Sequence, residues 1–189
     1  MEILYYLIAI CVIFFMAIAV YDGIYLHLWK YQLHTREESY FEHKTHTVRA
    51  ILFPLIVWFL FVNNDPLSFW IGIALVVVDF LTLSIDAFSE KDSRKNIGGL
   101  PRWEYIIHLF ANGFHFAAIV MVLGVKLTLT ETGLEFKTVF AESTAKAVFD
   151  FVAIQAIPGA VIMGLLHVTL AFPAGRNMWQ KQRLKVTCC

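Results

Sequence analysis

Five apolar stretches, each long enough to cross a bilayer as a helix, constrain this chain more than any other feature. A hydrocarbon core about 30 Å thick needs about 20 residues of helix. The stretches run over residues 3–28, 46–62, 67–88, 105–127 and 148–172. In lipid every backbone N–H and C=O must be satisfied within its own segment, so stretches of this kind are helices. The expected fold is all-α: an integral membrane bundle of five transmembrane helices, forming one domain over residues 1–189. Composition agrees, with 59% hydrophobic and 16% charged residues, where soluble domains carry about 45–50% and about 25%. A soluble globular protein and a disordered chain are excluded. Basic and acidic residues number 15 each, so no basic surplus points to nucleic acid. Cys11 lies in an apolar run and Cys188 and Cys189 end the chain. No disulfide framework or thiolate metal site fits, and the terminal pair lacks the CaaX form of a prenylation signal.

Charge in the connections orients the bundle. Lys30, Arg36, Lys44 and Arg49 lie between spans one and two, and Lys91, Arg94, Lys95 and Arg102 between three and four. Arg176, Lys181, Arg183 and Lys185 follow span five. The connection Asn63-Asn64-Asp65-Pro66 holds no basic residue, and Lys126, Lys137 and Lys146 are offset by Glu131, Glu135 and Glu142. The positive-inside rule then puts the N-terminus outside and the C-terminus in the cytoplasm. Ala17-Ile18-Ala19 resembles a signal-peptide cleavage site, but no basic residue precedes the apolar run and the run continues past it. An uncleaved first helix is expected.

Residues 35–38 and 39–42 have the form of capping boxes. Residues 29–45 contain neither Gly nor Pro, so helical extensions beyond the bilayer are expected there. Gly98-Gly99-Leu100-Pro101 marks a turn. Residues 128–146 read as a structured outer loop, and Pro54 and Pro158 as kink points in spans two and five.

The histidines and carboxylates concentrate at one end of this topology. Asp22 and His27 close span one, Glu42, His43 and His46 open span two, and Asp79 and Asp86 lie on span three. Glu104, His108, Asn112 and His115 lie on span four, and His167 near the end of span five. At 3.6 residues per turn, Glu104, His108 and His115 share a face, as do Asp79 with Asp86 and Glu42 with His46. Asp22 and His27, five apart, do not share one in a regular helix. His27 reads equally as a headgroup-level residue beside Trp29 and Lys30. His34 and Glu38 read as solvated, and Glu90 and Asp92 as surface partners of Lys91, Arg94 and Lys95. Glu42 has a second reading as the end of a capping box.

A charged group at the bilayer centre costs about 2.5–3.5 kcal/mol on insertion scales. Carboxylates or imidazoles at similar depth on all five spans therefore need a common cause. Inward-facing imidazoles and carboxylates at helical spacing are the ligand set of a metal site in a bundle, and metal charge offsets the burial of the acids. The expected metal ligands are Asp22, Glu42, His43, His46, Asp79, Asp86, Glu104, His108, His115 and His167, with Glu104 and His108 as the catalytic pair. That is more than one ion can use, so two metal ions are expected. Nitrogen and oxygen ligands suit iron first, with zinc or manganese next.

The plan is similar to that of the membrane di-iron desaturases and hydroxylases. The resemblance is architectural. Their H-x-x-H-H boxes are absent, with His43-Lys44-Thr45-His46 the nearest approach. The E-x-x-H pair of ferritin-like proteins is absent too, since the Glu–His spacings here are four. No residue role transfers from either group. The expected function is an oxidoreductase of the oxygenase, hydroxylase or desaturase type. It would act on a membrane lipid or lipid-soluble substrate, supplied by a cytoplasmic electron donor. The alternatives are a zinc-dependent membrane hydrolase and a b-type haem carrier ligated by His108 and His167. A transporter needs polar residues along the whole path, and the outer halves of the spans are almost bare of them.

Overall fold

The structure, a computed structural model, describes residues 2–187, so Cys188 and Cys189 lie outside the described residues. Five helices are long and apolar enough to cross a membrane. Among the described residues they are built on α1 (Glu2–Val20), α2 (Tyr40–Ile56), α3 (Pro66–Ser93), α4 (Arg102–Lys126) and α5 (Thr144–Leu170), the first span running on to Thr35 and the second to Val62. A sixth, polar helix, α6 (Pro173–Thr187), follows α5. Strands β1 (Leu127–Thr130) and β2 (Gly133–Phe136) make an antiparallel hairpin after α4, which is the structure within the loop expected over residues 128–146.

Local chemistry sets the helix ends. Asp65 caps α3, its carboxylate accepting from Ser68 N–H at 2.9 Å with Pro66 at the first helical position. Ser143 caps α5 through Lys146 N–H at 3.2 Å. Gly98 and Gly99 turn the chain into α4 at φ of 95° and 79°, values that a side chain disfavours.

Two helices change pitch. Beyond Val20 the first span continues as a π-helix over Tyr21–Lys30, ending in a bond from Tyr31 N–H to Leu26 C=O of 2.9 Å. The second span becomes π-helical over Val57–Val62, just after Pro54. Of the helical extensions expected over residues 29–45, residues 29–30 continue the first span and residues 40–45 open α2, but the stretch between them is not continuous helix. The chain breaks at Gln32, which is left-handed at φ 53°, makes a short 3₁₀ turn at Leu33–Thr35 and restarts at Tyr40.

In space the helices run α3, α2, α5, α1, α4. The remaining seam, between α3 and α4, is crossed mainly by side chains. Lipid offers apolar groups as good a home as a protein core does, so helix association rests on close packing and hydrogen bonds. Small residues supply the closeness. Ala153, Ala156, Ala160 and Gly164 line the buried side of α5. A Cβ at Gly164 would meet Ala50 C=O at 3.1 Å, and one at Gly72 would meet Leu60 Cβ at 2.7 Å. The apolar core fills the half of the bundle next to the hairpin, around Ile8, Val12, Ile56, Leu60 and Val122. The opposite half holds the polar side chains.

Candidate metal centre

The π-helix decides what the first span presents. In an α-helix residues five apart point about 140° away from each other. In a π-helix they are successive along one face, because the bonds run i to i+5. His27 Nε2 accordingly lies 3.4 Å from Asp22 Oδ1. Single π-turns recur at functional sites, and here the wide turn extends over Tyr21–Lys30.

Around this pair the helix ends converge. One ligand atom each from Asp22, His27, Glu104 and His108 lies within 4.8 Å of every other. The same holds for His27, Glu42 and His46. The imidazole of His27 stands between the two groups, its ring centroid 4.1 Å from that of His46 and 5.7 Å from that of His108. The cluster therefore draws on α1's π-helical extension, α2 and α4. Among the described residues, both ring nitrogens of His27 are buried without a hydrogen bond, although Nε2 lies 3.4 Å from Asp22. A buried group left unpaired costs about 1–3 kcal/mol, so His27 is the residue of the cluster with the most to gain from a ligand.

A second layer holds this one. His108 Nδ1 meets Glu90 Oε1 at 2.8 Å, while its Nε2 faces Asp22 at 3.1 Å. His46 meets Asp86 at 3.2 Å, and Asp86 also accepts from the hydroxyl of Thr45. A carboxylate behind an imidazole fixes the ring's orientation and raises its basicity, as in the outer shell of histidine metal sites. Arg94, fully buried, sets one nitrogen 2.9 Å from Glu42 and 2.7 Å from Glu104. Glu42 takes a further hydrogen bond from Ser93 Oγ.

Several of these placements revise the sequence reading. Glu42 closes no capping box: Ser39 makes no cap and donates instead to Ser93 C=O at 2.8 Å, which frees Glu42 to face inward. Thr35 likewise donates to Gln32 C=O rather than opening a helix. Glu90 and Arg94 are not surface charges, whereas Lys91, Asp92 and Lys95 are exposed. His34 is buried rather than solvated. Glu38 is exposed as expected; its own backbone N–H and Asn96 hold its carboxyl below the ordinary range.

The ten expected ligands fall into three places. Asp22, Glu42, His46, Glu104 and His108 come together, with Asp86 directly behind His46. Asp79 and His115 lie deeper, bonded to each other at 3.2 Å, and Asp79 is paired with Arg49 at 3.1 Å. His43 and His167 stack at 5.4 Å between centroids, with His34 5.7 Å from His43, as a separate group of buried imidazoles. His27, Glu90 and Arg94 are the residues that sequence reasoning missed. The five-residue spacing of Asp22 and His27 was the one available signal, and only a π-helix turns it into a shared face.

Comparison with protein-family models, with curated proteins and with solved structures gives no match. The chemistry of the cluster therefore rests on the residues themselves. Three imidazoles and three carboxylates within bonding range of common points can hold hard or borderline cations through nitrogen and oxygen.

Proposed function

We propose that the cluster binds two iron ions and that the chain is a membrane oxidoreductase acting on a lipid-soluble substrate. The observation that carries this reading is the convergence of Asp22, His27, Glu42, His46, Glu104 and His108 at the head of an apolar-walled cavity. Asp22, Glu104 and His108 would serve one ion, and Glu42 and His46 the other, with His27 in reach of either. Charge supports two ions. Asp22, Glu42, Asp86, Glu90 and Glu104 are five carboxylates against the single guanidinium of Arg94. With the imidazoles deprotonated, as metal ligands must be, the four remaining negative charges equal the charge of two divalent cations.

When bound, the ions supply oxygen activation and electron storage. The balanced reaction is a C–H bond plus O₂, two electrons and two protons giving a C–OH bond and water. The electrons come from a cytoplasmic reductant. The chain's own part is positional. Glu90 and Asp86 orient His108 and His46, Arg94 keeps Glu42 and Glu104 from repelling each other, and the surrounding helices exclude bulk water. The orientation that goes with this reading has the N-terminus outside and the cluster on the cytoplasmic side, from the basic connections.

Metal analysis and the visible spectrum of the purified protein test the proposal. Two irons per chain without a Soret band, and oxygen consumption with a reductant, are expected. Stoichiometric zinc, with no oxygen uptake after iron reconstitution, would overturn it in favour of hydrolysis.

A further inference from the structure

The cavity beside the cluster limits what the centre can receive. It encloses about 320 Å³, and Asp22, His46, Asp86 and His108 form one end. The other end reaches Asp79 and His115, one heptad or about 10 Å further along α3 and α4. Met16, Ala19, Val20, Leu83, Leu109 and Met163 make an apolar wall between. Phe15 and Phe53 pack on His115 at 4.8 and 5.6 Å between centroids and close the deep end. Arg49, Asp79 and Asn112 also reach the wall, but Arg49 bonds Asp79 and Asn112, and Asp79 also bonds His115.

The opening is sideways. Leu109 lines the cavity and is still 61% exposed, and Tyr105 lines it at 60%. Both lie on α4 where it faces α3. The seam is shut on the deep side by Phe80 and Phe116, whose rings are 5.9 Å apart, and at the cluster end by the Glu90–His108 pair. Between those two contacts the surroundings are the lipid that bathes a five-span protein.

Depth decides which part of a lipid meets the cluster. At 1.5 Å per residue, Glu104 and His108 lie about 3 and 9 Å from the start of α4, and Asp86 about 10 Å from the end of α3. The polar layer of a bilayer is about 5–7 Å thick on each face. With the start of α4 and the end of α3 at the water surface, the cluster lies at the boundary of the hydrocarbon layer, level with the carbons nearest a lipid's head, whichever face of the membrane it occupies.

We infer that the substrate is a bilayer lipid standing in the leaflet on the cluster's side, with one acyl chain inserted through the α3–α4 seam. Its first few carbons lie beside Asp22, His46 and His108, and the carbons that follow fill the cavity. The inference rests on the proposed function only for the reaction at those first carbons; occupancy of the cavity stands apart from it.

Photolabelling of the full chain in phosphatidylcholine bilayers tests it. Two probes are used, both phosphatidylcholines, one with a diazirine next to the ester carbonyl and one with a diazirine at the middle of the same acyl chain. The first is expected to label Ala87, Tyr105 and His108, and the second Phe15, Met16 and Phe53. Ala111→Trp, which fills the cavity beside His108, is expected to remove this labelling while metal per chain and labelling of outward-facing Ile162 and Leu165 persist. Identical labelling by both probes, labelling of outward positions alone, or unchanged labelling of Ala111→Trp overturns the inference. Should Ala111→Trp not fold, the two-probe contrast in the native chain decides alone. Labelling needs no turnover, so the two readings fail separately. Cavity labelling of a chain that takes up no iron removes only the oxidative function, and outward labelling of an iron-loaded chain removes only the lipid substrate.

Discussion

Two polar layers cross this bundle, one heptad apart on α3 and α4 and three residues apart on α2, and they are built from the same helices with opposite results. In the layer near the helix ends, α2 contributes His46, α3 Asp86 and α4 His108. In the deeper layer the same helices contribute Arg49, Asp79 and His115, with Asn112 beside them. The difference lies largely in the α2 residue. Arg49 brings a permanent positive charge and no acceptor, so it neutralises Asp79 at 3.1 Å and spends another donor on Asn112 at 2.9 Å. His46 brings an imidazole, able to act as a ligand. The shallow layer also receives Asp22 and His27 from the π-helix and Glu42 and Glu104 beside Arg94. It ends with more carboxylates than cations and with buried atoms that lack partners. Residue type at helical spacing does not separate a ligand from half of an ion pair. The ratio of carboxylates to cations around it does: Arg49 pairs with Asp79 alone, whereas Arg94 is shared between Glu42 and Glu104.

The sharpest way to break the contrast is to remove the proposed ligands from the shallow layer. Glu104→Ala or His108→Ala is expected to cut bound metal from two ions per chain to one or none, a larger effect than the 10–100-fold affinity loss typical of outer-shell changes. Elemental analysis of the purified variants reads it, and full metal content in both would remove these residues from the centre.

The deeper layer should respond in the opposite sense. Asp79→Asn leaves the Arg49 guanidinium without its carboxylate, and breaking a buried pair costs on the order of 3 kcal/mol. Unfolding in detergent is expected to come earlier, with metal per chain unchanged. A variant that keeps its stability but loses an ion would merge the two layers into one site.

The smallest effect belongs to Glu38, which is exposed and bonded to Asn96 at 2.7 Å outside both layers. Glu38→Ala is expected to change neither metal content nor melting temperature. A fall in bound metal would extend the centre to the turn that precedes α2.

Much of this was legible in the chain itself. Five long apolar segments dictate five helices, because lipid gives a backbone no other partner. The 3.6-residue period dictates that Glu104 shares a face with His108, and Glu42 with His46. Asp65-Pro66 marks the start of α3 and Gly98-Gly99 the turn into α4, as local chemistry requires. The tertiary structure alone decided which polar residues meet. Whether Tyr21–Lys30 winds as an α- or a π-helix determines whether Asp22 and His27 share a face, and no periodicity in one segment reports that. Whether Arg94 is solvated or buried depends on where Glu42 and Glu104 arrive from distant helices. Whether Asp79 is a ligand or an ion-pair partner depends on Arg49, 30 residues away in the chain. A local pattern records the face a residue occupies; the charge opposite that face is a property of packing between helices.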